Sequence, residues 1–467
     1  MKKRLGRLLV GVCLWLLPGA IWANEPLEIG SRLELFVDEF LVERFEGEAA
    51  LRLHKPAPRE VVLVADKPWE GNTSAYFTIF QDGDLYRMYY RGSHFDEKGR
   101  KATHREVTCY AQSADGVHWT KPELGLFEFG GSKANNIVWD GGGAHNFTPF
   151  KDANPASPAD ARYKALAGGE AGHKHGLYAL QSADGIRWKR MRDEPVITQG
   201  AFDSQNLAFW DSHRGLYVDY HRGFRQGVRD IMTATSKDFL AWTTPVFLDY
   251  PGAPKEHLYT NAIRAYDRAP HLLLGFPTRF LPDRGQQVEP TFMTSRDGRS
   301  FRRWTEALIP VSAPQDRDGN RSNYMAWGLV RLPGADEECS VYATEAYYRG
   351  PAGRLRRFVY RLDGFVSLAA GGAGGAMLSR PLRFQGNRLV LNYRAGPGGQ
   401  VRVEIQDPAG KPIDGLSLAD CSPLQADCLE QAVAWKGGSD LGHLAGKPIR
   451  LRIELRSADV FSLRFRP

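Results

Sequence analysis

The sequence predicts an all-β fold, a five-bladed β-propeller followed by a small C-terminal β-sandwich. Three features predict it. A Ser-x-Asp-Gly-x-x-Trp string recurs, strands rich in aromatic and β-branched residues precede each copy, and no amphipathic stretch of helix length interrupts them. The composition agrees. Of 467 residues, 42% are apolar and 25% charged, which excludes disordered, collagen-like and coiled-coil chains. Aromatics reach 11%, with 11 Trp and 18 Tyr, and suit sheet cores and sugar-stacking surfaces.

The clearest copy of the string is Ser113-Ala-Asp115-Gly116-Val-His-Trp119, and Ser182-Ala-Asp184-Gly185-Ile-Arg-Trp188 matches it closely. Ser236-Lys-Asp238-Phe-Leu-Ala-Trp242 and Ser295-Arg-Asp297-Gly298-Arg-Ser-Phe301 are looser, and Asp363-Gly364-Phe365 marks an irregular fifth. Asp and Gly make a hairpin turn, because Gly tolerates positive φ and Asp bonds to the backbone ahead of it. The Trp that follows is expected to plug between neighbouring sheets. Aromatic-rich strands precede the turns at 85–90, 162–167, 215–220, 271–276 and 340–347. Another strand precedes each of those, at 74–80, 146–150, 205–210, 260–266 and 326–332. Residues 33–53 alternate apolar and polar, and are expected to supply the strand that closes the ring.

Four segments follow: a signal peptide over 1–23, the propeller over 24–368, a Gly/Ala linker over 369–376 and the β-sandwich over 377–467. Lys2, Lys3, Arg4 and Arg7 precede an apolar run from Leu8 to Leu17 that Pro18 ends. That run is short for a membrane span and reads as a secretory signal, with an uncleaved anchor as the alternative. The expected location is secreted or periplasmic, with no membrane span once the signal is removed. Of the formal charge of +7, four belong to that leader, leaving +3 spread without a dense basic run. Nucleic acid is therefore not an expected partner. Cys109, Cys339, Cys421 and Cys428 match no zinc or redox spacing. An oxidising compartment permits disulfides, with Cys421–Cys428 the favoured pair and Cys109 and Cys339 either paired or buried thiols.

In a propeller, polar residues that lead into the innermost strands converge on the axis. The first unit offers Trp69, Glu70 and Asn72; the second, His145 and Asn146; the third, Asp203, Gln205 and Asn206. The fourth offers Glu256, His257, Tyr259 and Asn261, and the fifth Asn323 and Tyr324. Glu70, Asp203 and Glu256 hold the same topological position. Cleaving an acetal needs two carboxyl groups with separated pKa values, and a third can hold the sugar or tune the acid. The ends of the second strands add Arg91, Glu170, His221, Arg222, Arg279 and Glu345. An arginine there suits a carboxylate or sulfate on the substrate, or serves as an inter-blade salt bridge. Trp69, Trp327, Tyr347 and Tyr348 are candidates to stack on sugar faces. No metal or cofactor is expected, although a structural cation near His145 or His257 is an alternative to simple hydrogen-bonding histidines. Gly141-Gly142-Gly143 precedes a strand, so it is no phosphate loop, and no Gly-x-Ser-x-Gly or His-Glu-x-x-His string occurs.

The repeated turns followed by a β-sandwich resemble the propeller glycosidases of glycoside hydrolase families 32 and 43. Nearly the whole chain also resembles a group of secreted, uncharacterised family-32-like proteins. Leu35-Phe-Val-Asp-Glu-Phe-Leu41, Tyr86-Arg-Met-Tyr-Tyr-Arg-Gly92, Tyr259-Thr-Asn-Ala-Ile263 and Asp363-Gly-Phe-Val-Ser367 carry the likeness. The turn string is also similar to the sialidase Asp-box, which has one more residue between Asp and Gly. The glycosidase resemblance implies a three-acid site: Glu256 as general acid, Asp203 as stabiliser or pKa modulator, and Glu70 as base or nucleophile. The invertase-like Trp-x-Asn-Asp-Pro and Arg-Asp-Pro strings are absent, and Glu70 stands where that family has Asp. Asp38 is a substitute on the expected closing strand. The expected function is an exported glycoside hydrolase acting on a poly- or oligosaccharide. The substrate contacts are Trp69, Asn72, Arg91, His145, Asn206, Arg222, His257, Tyr259, Asn261, Arg279, Tyr324 and Glu345. A non-catalytic carbohydrate-binding propeller and a polysaccharide lyase using Tyr259, His221 and Arg222 are the alternatives.

Overall fold

A computed structural model describes residues 25–168, 174–310 and 323–467. The expected signal over 1–23 and Glu170 lie outside the described residues. Among the described residues the structure is all β, with short 3-10 turns and no α-helix. No helix there is long and apolar enough to cross a membrane.

Four-stranded antiparallel units follow one another along the chain. The first comprises Ala75–Asp82, Leu85–Gly92, Val107–Ser113 and Ile137–Trp139. The second comprises Thr148–Lys151, Tyr163–Gly168, Leu177–Ser182 and Lys189–Arg190. Leu207–Asp211, Leu216–Arg225, Val228–Ser236 and Val246–Phe247 form the third. Arg264–Tyr266, Ala269–Gly275, Met293–Ser295 and Arg302–Arg303 form the fourth. The fifth combines Met325–Val330, Glu338–Glu345 and Arg354–Arg361 with Ala57–Val64. First strands of all units border one cavity of about 700 Å³, with Phe80, Phe150, Trp210, Tyr266 and Val330 in its wall, so they surround a common axis. Trp327 of the fifth unit pairs with Thr78 of the first, bringing the ends of the series together.

The repeated string folds as its chemistry requires. Asp184 Oδ1 accepts the backbone N–H groups of Ile186 and Arg187 at 2.8 Å each, and Ser182 Oγ accepts Gly185 N–H at 2.9 Å. The same bonds recur around Asp115, Asp238 and Asp297. Gly116, Gly185 and Gly298 have φ of 72°, 75° and 83°, and Phe239 adopts 69° in the copy that lacks glycine. Each Trp turns its indole N–H back on its own turn, as Trp188 does to Gly185 O at 3.1 Å. The link between units comes from tyrosines. Tyr89 of the first unit donates to Gly185 O at 2.9 Å, Tyr220 of the third to Gly298 O at 2.9 Å, and Tyr342 of the fifth to Gly116 O at 2.8 Å.

The ring-closing strand differs from the expected one. Ala57–Val64 completes the fifth unit by pairing with Arg354–Arg361. Residues 33–53 instead enter a second sheet: Glu34–Leu35 pairs with Arg450–Arg466, Val42–Gly47 with Gly375–Ser379, and Ala50–Leu53 with Val366–Ala370. The reason is visible in the burial pattern. Leu33, Leu35 and Val37 join the core of the units, while Ile29, Phe36 and Leu41 join the second core, so the segment is wedged between two apolar masses. The second sheet is built on the long strands Arg388–Gln406 and Arg450–Arg466, whose Val401, Val403 and Ile405 are buried as their alternation predicts. Residues 369–376 do not form a free linker. Ala369 and Ala370 end one strand, Gly375 and Ala376 begin the next, and all three alanines are buried. The four cysteines among the described residues are free thiols, so the favoured Cys421–Cys428 pair does not form. Cys421 Sγ accepts Val403 N–H at 3.3 Å, while Cys428 sits in a strand opposite Tyr393.

Candidate functional site

The three carboxylates expected to meet do not share a partner. Glu70 is fully buried at its side chain, where Tyr90 donates to one oxygen at 2.5 Å and Lys121 contacts the other at 2.6 Å. Its bond from Tyr90 and its ion pair with Lys121 brace the first unit. Glu256 is clamped by Arg279 at 2.8 Å and by Arg303, which occupies its second oxygen. Arg279 also holds Glu289 at 2.5 Å, completing a salt-bridge cluster on the fourth unit. Both oxygens of each glutamate are therefore committed to structural partners. Asp203 alone faces open space, with 69% of its side chain exposed beside Arg222.

Around Asp203 the leading ends of the units do converge. Tyr76 of the first unit lies over Arg91, ring centre 4.8 Å from the guanidinium carbon, and its hydroxyl donates to Asp203 O at 3.4 Å. His145, leading into the second unit, sits edge-on to Tyr76 at 5.6 Å. It contacts Glu106 through Nδ1 at 2.7 Å and Arg91 at 3.1 Å, and its Nε2 lies 3.2 Å from Asp203 O. Arg222 lies over Tyr259, 4.9 Å from its ring centre. Tyr324 bridges Tyr76, Tyr259 and Tyr347 at ring separations of 6.5, 5.6 and 5.3 Å. Arg91 Nη2 donates to Tyr347 at 3.0 Å and to Thr73 O at 2.7 Å. Gln205 forms the floor, its amide donating to Tyr76 O, Phe77 O and Thr78 across from the third unit to the first.

Local backbone explains these placements. The ladder register shifts between Ala75 and Thr78, and Tyr76 adopts a φ of 57°, which takes it out of the strand's alternation. The loop carrying Asp203 is held from below. Asn206 donates to Phe202 O at 3.1 Å and Ser204 O at 2.8 Å, and Asn146 donates to Phe202 O. Gly200 has φ of 152°, and a Cβ there would stand 2.5 Å from the His221 ring. His221 bridges Asp219 at 2.6 Å and Gln199 O at 2.9 Å. Both of its nitrogens are used and its side chain is fully buried, out of reach of a substrate at the mouth, which removes it from the lyase set of Tyr259, His221 and Arg222.

The electrostatics assign protonation states. Burial pushes the His145 pKa down, and Arg91 and Arg222 add to this against the pull of Glu106, so the ring is neutral at neutral pH. Burial acts to raise Glu106, but the hydrogen bond from His145 and the charge of Arg91 outweigh it and the net shift is downward. Burial raises Tyr76 and Tyr324 well above the ordinary tyrosine range, keeping both as phenols.

Of the expected contacts, Arg91, His145, Arg222, Tyr259 and Tyr324 join Asp203 at this mouth. The others serve elsewhere. Trp69 donates to Asn136 at 2.7 Å and packs on Phe129. Asn72 bonds Phe95 through both ends of its amide, and Asn261 donates to Tyr220 O at 3.2 Å. His257 accepts Arg229 N–H at 3.2 Å, and Glu345 is buried against Arg356 at 2.6 Å. Asn206 is a brace. Glu256 and Arg279 form the salt-bridge cluster. Tyr76 and Glu106 escaped sequence reading. Tyr76 lies inside a strand whose bulge leaves no sequence mark, and Glu106 precedes a third strand rather than a first one. Among the described residues no group of three His, Cys, Asp or Glu side chains is placed to hold a metal ion.

No model of a known protein family matches the chain. Two uncharacterised proteins of Mycobacterium tuberculosis, MT1551 from strain CDC 1551 / Oshkosh and Rv1502 from strain H37Rv, are each 28% identical over 137 residues. That is 29% of this chain and 40% of the length of those relatives. Among solved structures, a complex of BT0996 with RGII is 15% identical with a TM-score of 0.46, covering 66% of this chain and 92% of that protein. An endo-1,4-beta-xylanase of Bacteroides thetaiotaomicron VPI-5482 is 12% identical with a TM-score of 0.45, covering 64% and 96%. An endo-arabinase of the same organism is 11% identical with a TM-score of 0.41, covering 66% and 99%. Likenesses this distant leave the chemistry of this chain to be read from its own residues.

Proposed function

We propose that the protein is an exported glycoside hydrolase whose active site is the mouth of a five-bladed β-propeller, with the C-terminal sheet as a bracing β-sandwich. The observation that supports this best is the meeting of side chains from the leading ends of all five units around Asp203, whose backbone carbonyl meets Tyr76 and His145 and whose exposed carboxylate pairs with Arg222. In this reading Asp203, not Glu70 or Glu256, supplies the negative charge that a developing oxocarbenium centre needs. Glu106 is the second carboxylate. Its bond to His145 Nδ1 orients the ring, and Nε2, which meets Arg91 and Asp203 O on a side chain 38% exposed at the mouth, is the atom that takes up or returns a proton there. The tyrosine walls provide apolar faces for a pyranose or furanose ring and phenols for its hydroxyls.

A polysaccharide lyase is the second reading. It is favoured by the neutral His145, the phenolic tyrosines and the two arginines, together with the lowered pKa of Glu106, which leaves that carboxyl ionised rather than poised as an acid. Product analysis separates the two. Incubation with a panel of polysaccharides yields new reducing ends without ultraviolet absorbance for a hydrolase, and unsaturated, absorbing ends for a lyase. Glycan retained by Asp203→Asn and by the parent protein alike, with no cleavage by either, identifies a binding propeller and rejects both enzymatic readings.

A further inference from the structure

Arg91 and Arg222 are only 4% and 3% exposed at their side chains, yet neither is matched by a bidentate carboxylate. Burying a guanidinium is unfavourable unless its donors are paired. Arg222 spends Nη2 on Asp203, a partner that is itself mostly in solvent, while its Nε and Nη1 are buried and without a hydrogen-bond partner. Arg91 uses its Nη atoms on Thr73, Tyr347 and His145. Its nearest carboxylate, Glu106, stands 3.8 Å away and is already bonded to His145, and its Nε has no partner. Both guanidiniums lie over tyrosine rings, Arg91 4.8 Å from the centre of Tyr76 and Arg222 4.9 Å from that of Tyr259. These contacts hold each guanidinium in place without supplying an acceptor for its unpartnered donors. Arg229, 5.4 Å from the Tyr259 ring centre, adds a third cation with an unpartnered Nε.

From this geometry we infer that the mouth recognises a sugar carrying an anionic group, a uronate carboxylate or a sulfate ester, held between Arg91 and Arg222 while its ring rests on the tyrosines. The inference rests on the mouth being a glycan site and adds the class of glycan. An anion with two or more acceptor oxygens completes the donor set that the fold leaves open. A neutral sugar hydroxyl cannot neutralise either charge.

The test uses the full mature protein in affinity electrophoresis at 0.15 M salt. The probes are polygalacturonate and alginate, each beside its carboxyl-reduced neutral form, dextran sulfate beside dextran, and polyglutamate as a polyanion without sugar. Retention by an acidic glycan about tenfold stronger than by its neutral counterpart and by polyglutamate is the expected result. The uronate and sulfate arms tell the two anions apart. Arg222→Gln and Arg91→Gln are expected to abolish the preference. Arg222→Lys, which keeps the charge, restores part of it and guards against a folding defect, as does competition on the parent protein by free galacturonate. Equal retention of acidic and neutral glycans, or polyglutamate bound as tightly as either uronate polymer, overturns the inference. Cleavage of neutral glycans without acidic preference overturns it while leaving the enzymatic reading intact. Acidic preference without any cleavage upholds it while the enzymatic reading falls.

Discussion

At the scale of single residues, His145 is the pivot of the mouth. Its neutral form is favoured by burial and by Arg91 and Arg222, so its pKa lies below the ordinary 6.5. Activity that needs an unprotonated Nε2 therefore persists below pH 6.5 and fails only as pH falls through the lowered value. The unfolded chain binds this proton first, so folding stability also declines as pH drops from 6.5 toward that value. The pH–rate profile is expected to show an acidic limb below 6.5 that His145→Gln removes, with kcat reduced about 100-fold or more. Glu70 gives the opposite test. Glu70→Gln breaks a buried pair and leaves Lys121 with only the exposed Asp66 and the Val64 carbonyl, a cost of about 2 kcal/mol. Its midpoint in urea is expected to fall while kcat per folded molecule stays within about twofold; a large loss of kcat with the fold intact returns Glu70 to catalysis.

At the scale of elements, the Asp-Gly turn is both a hairpin device and a docking point. Gly185 O accepts the indole of its own unit and the Tyr89 hydroxyl of the unit before it. Tyr89→Phe removes one of these bonds and is expected to cost about 1 kcal/mol, measured by urea denaturation. In Asp184 and Asp297 burial acts upward, but the turn N–H groups outweigh it and lower each carboxyl; in Asp115 burial again acts upward and is outweighed first by the His118 side chain and then by the turn N–H groups; in Asp238 the N–H groups are the leading influence and lower it too. These turns stabilise the fold above the ordinary aspartate value of 3.8 and lose that contribution as pH falls through the lowered values. Spacing made these elements legible, because a turn recorded in Ser, Asp and Gly is local chemistry. The expected 85–90 strand is observed as Leu85–Gly92, and the expected 326–332 strand as Met325–Val330. The mouth was half legible for the same reason. Arg91, His145, Asp203, Arg222, Tyr259 and Tyr324 flank strand ends that the pattern located. Whether a carboxylate at such an end faces the axis or a neighbouring cation depends on Lys121 and Arg303, residues 51 and 47 positions away from Glu70 and Glu256, and no local pattern encodes that.

At the scale of the whole molecule, the N-terminal segment ties the structure together. Residues 57–64 supply the last strand of the fifth unit, and the residues before them are shared between the two cores. Arg296 of the fourth unit reaches Glu34 at 2.9 Å and Asp38 at 2.7 Å, so Asp38 serves this join and not the mouth. Leu63 is buried in the core of the first and fifth units. Leu63→Asp places an unpaired carboxylate there and is expected to destabilise by about 3 kcal/mol or more, opening the ring in a single cooperative transition. Separate transitions for the two cores in calorimetry would contradict the shared-segment account.

The most direct measurement is glycan cleavage by the parent protein against Asp203→Asn, with circular dichroism to confirm that both are folded. The account predicts new chain ends from the parent protein and a loss of about 1,000-fold or more in the variant. Cleavage by the variant at the parent rate would place the chemistry somewhere other than the convergent mouth.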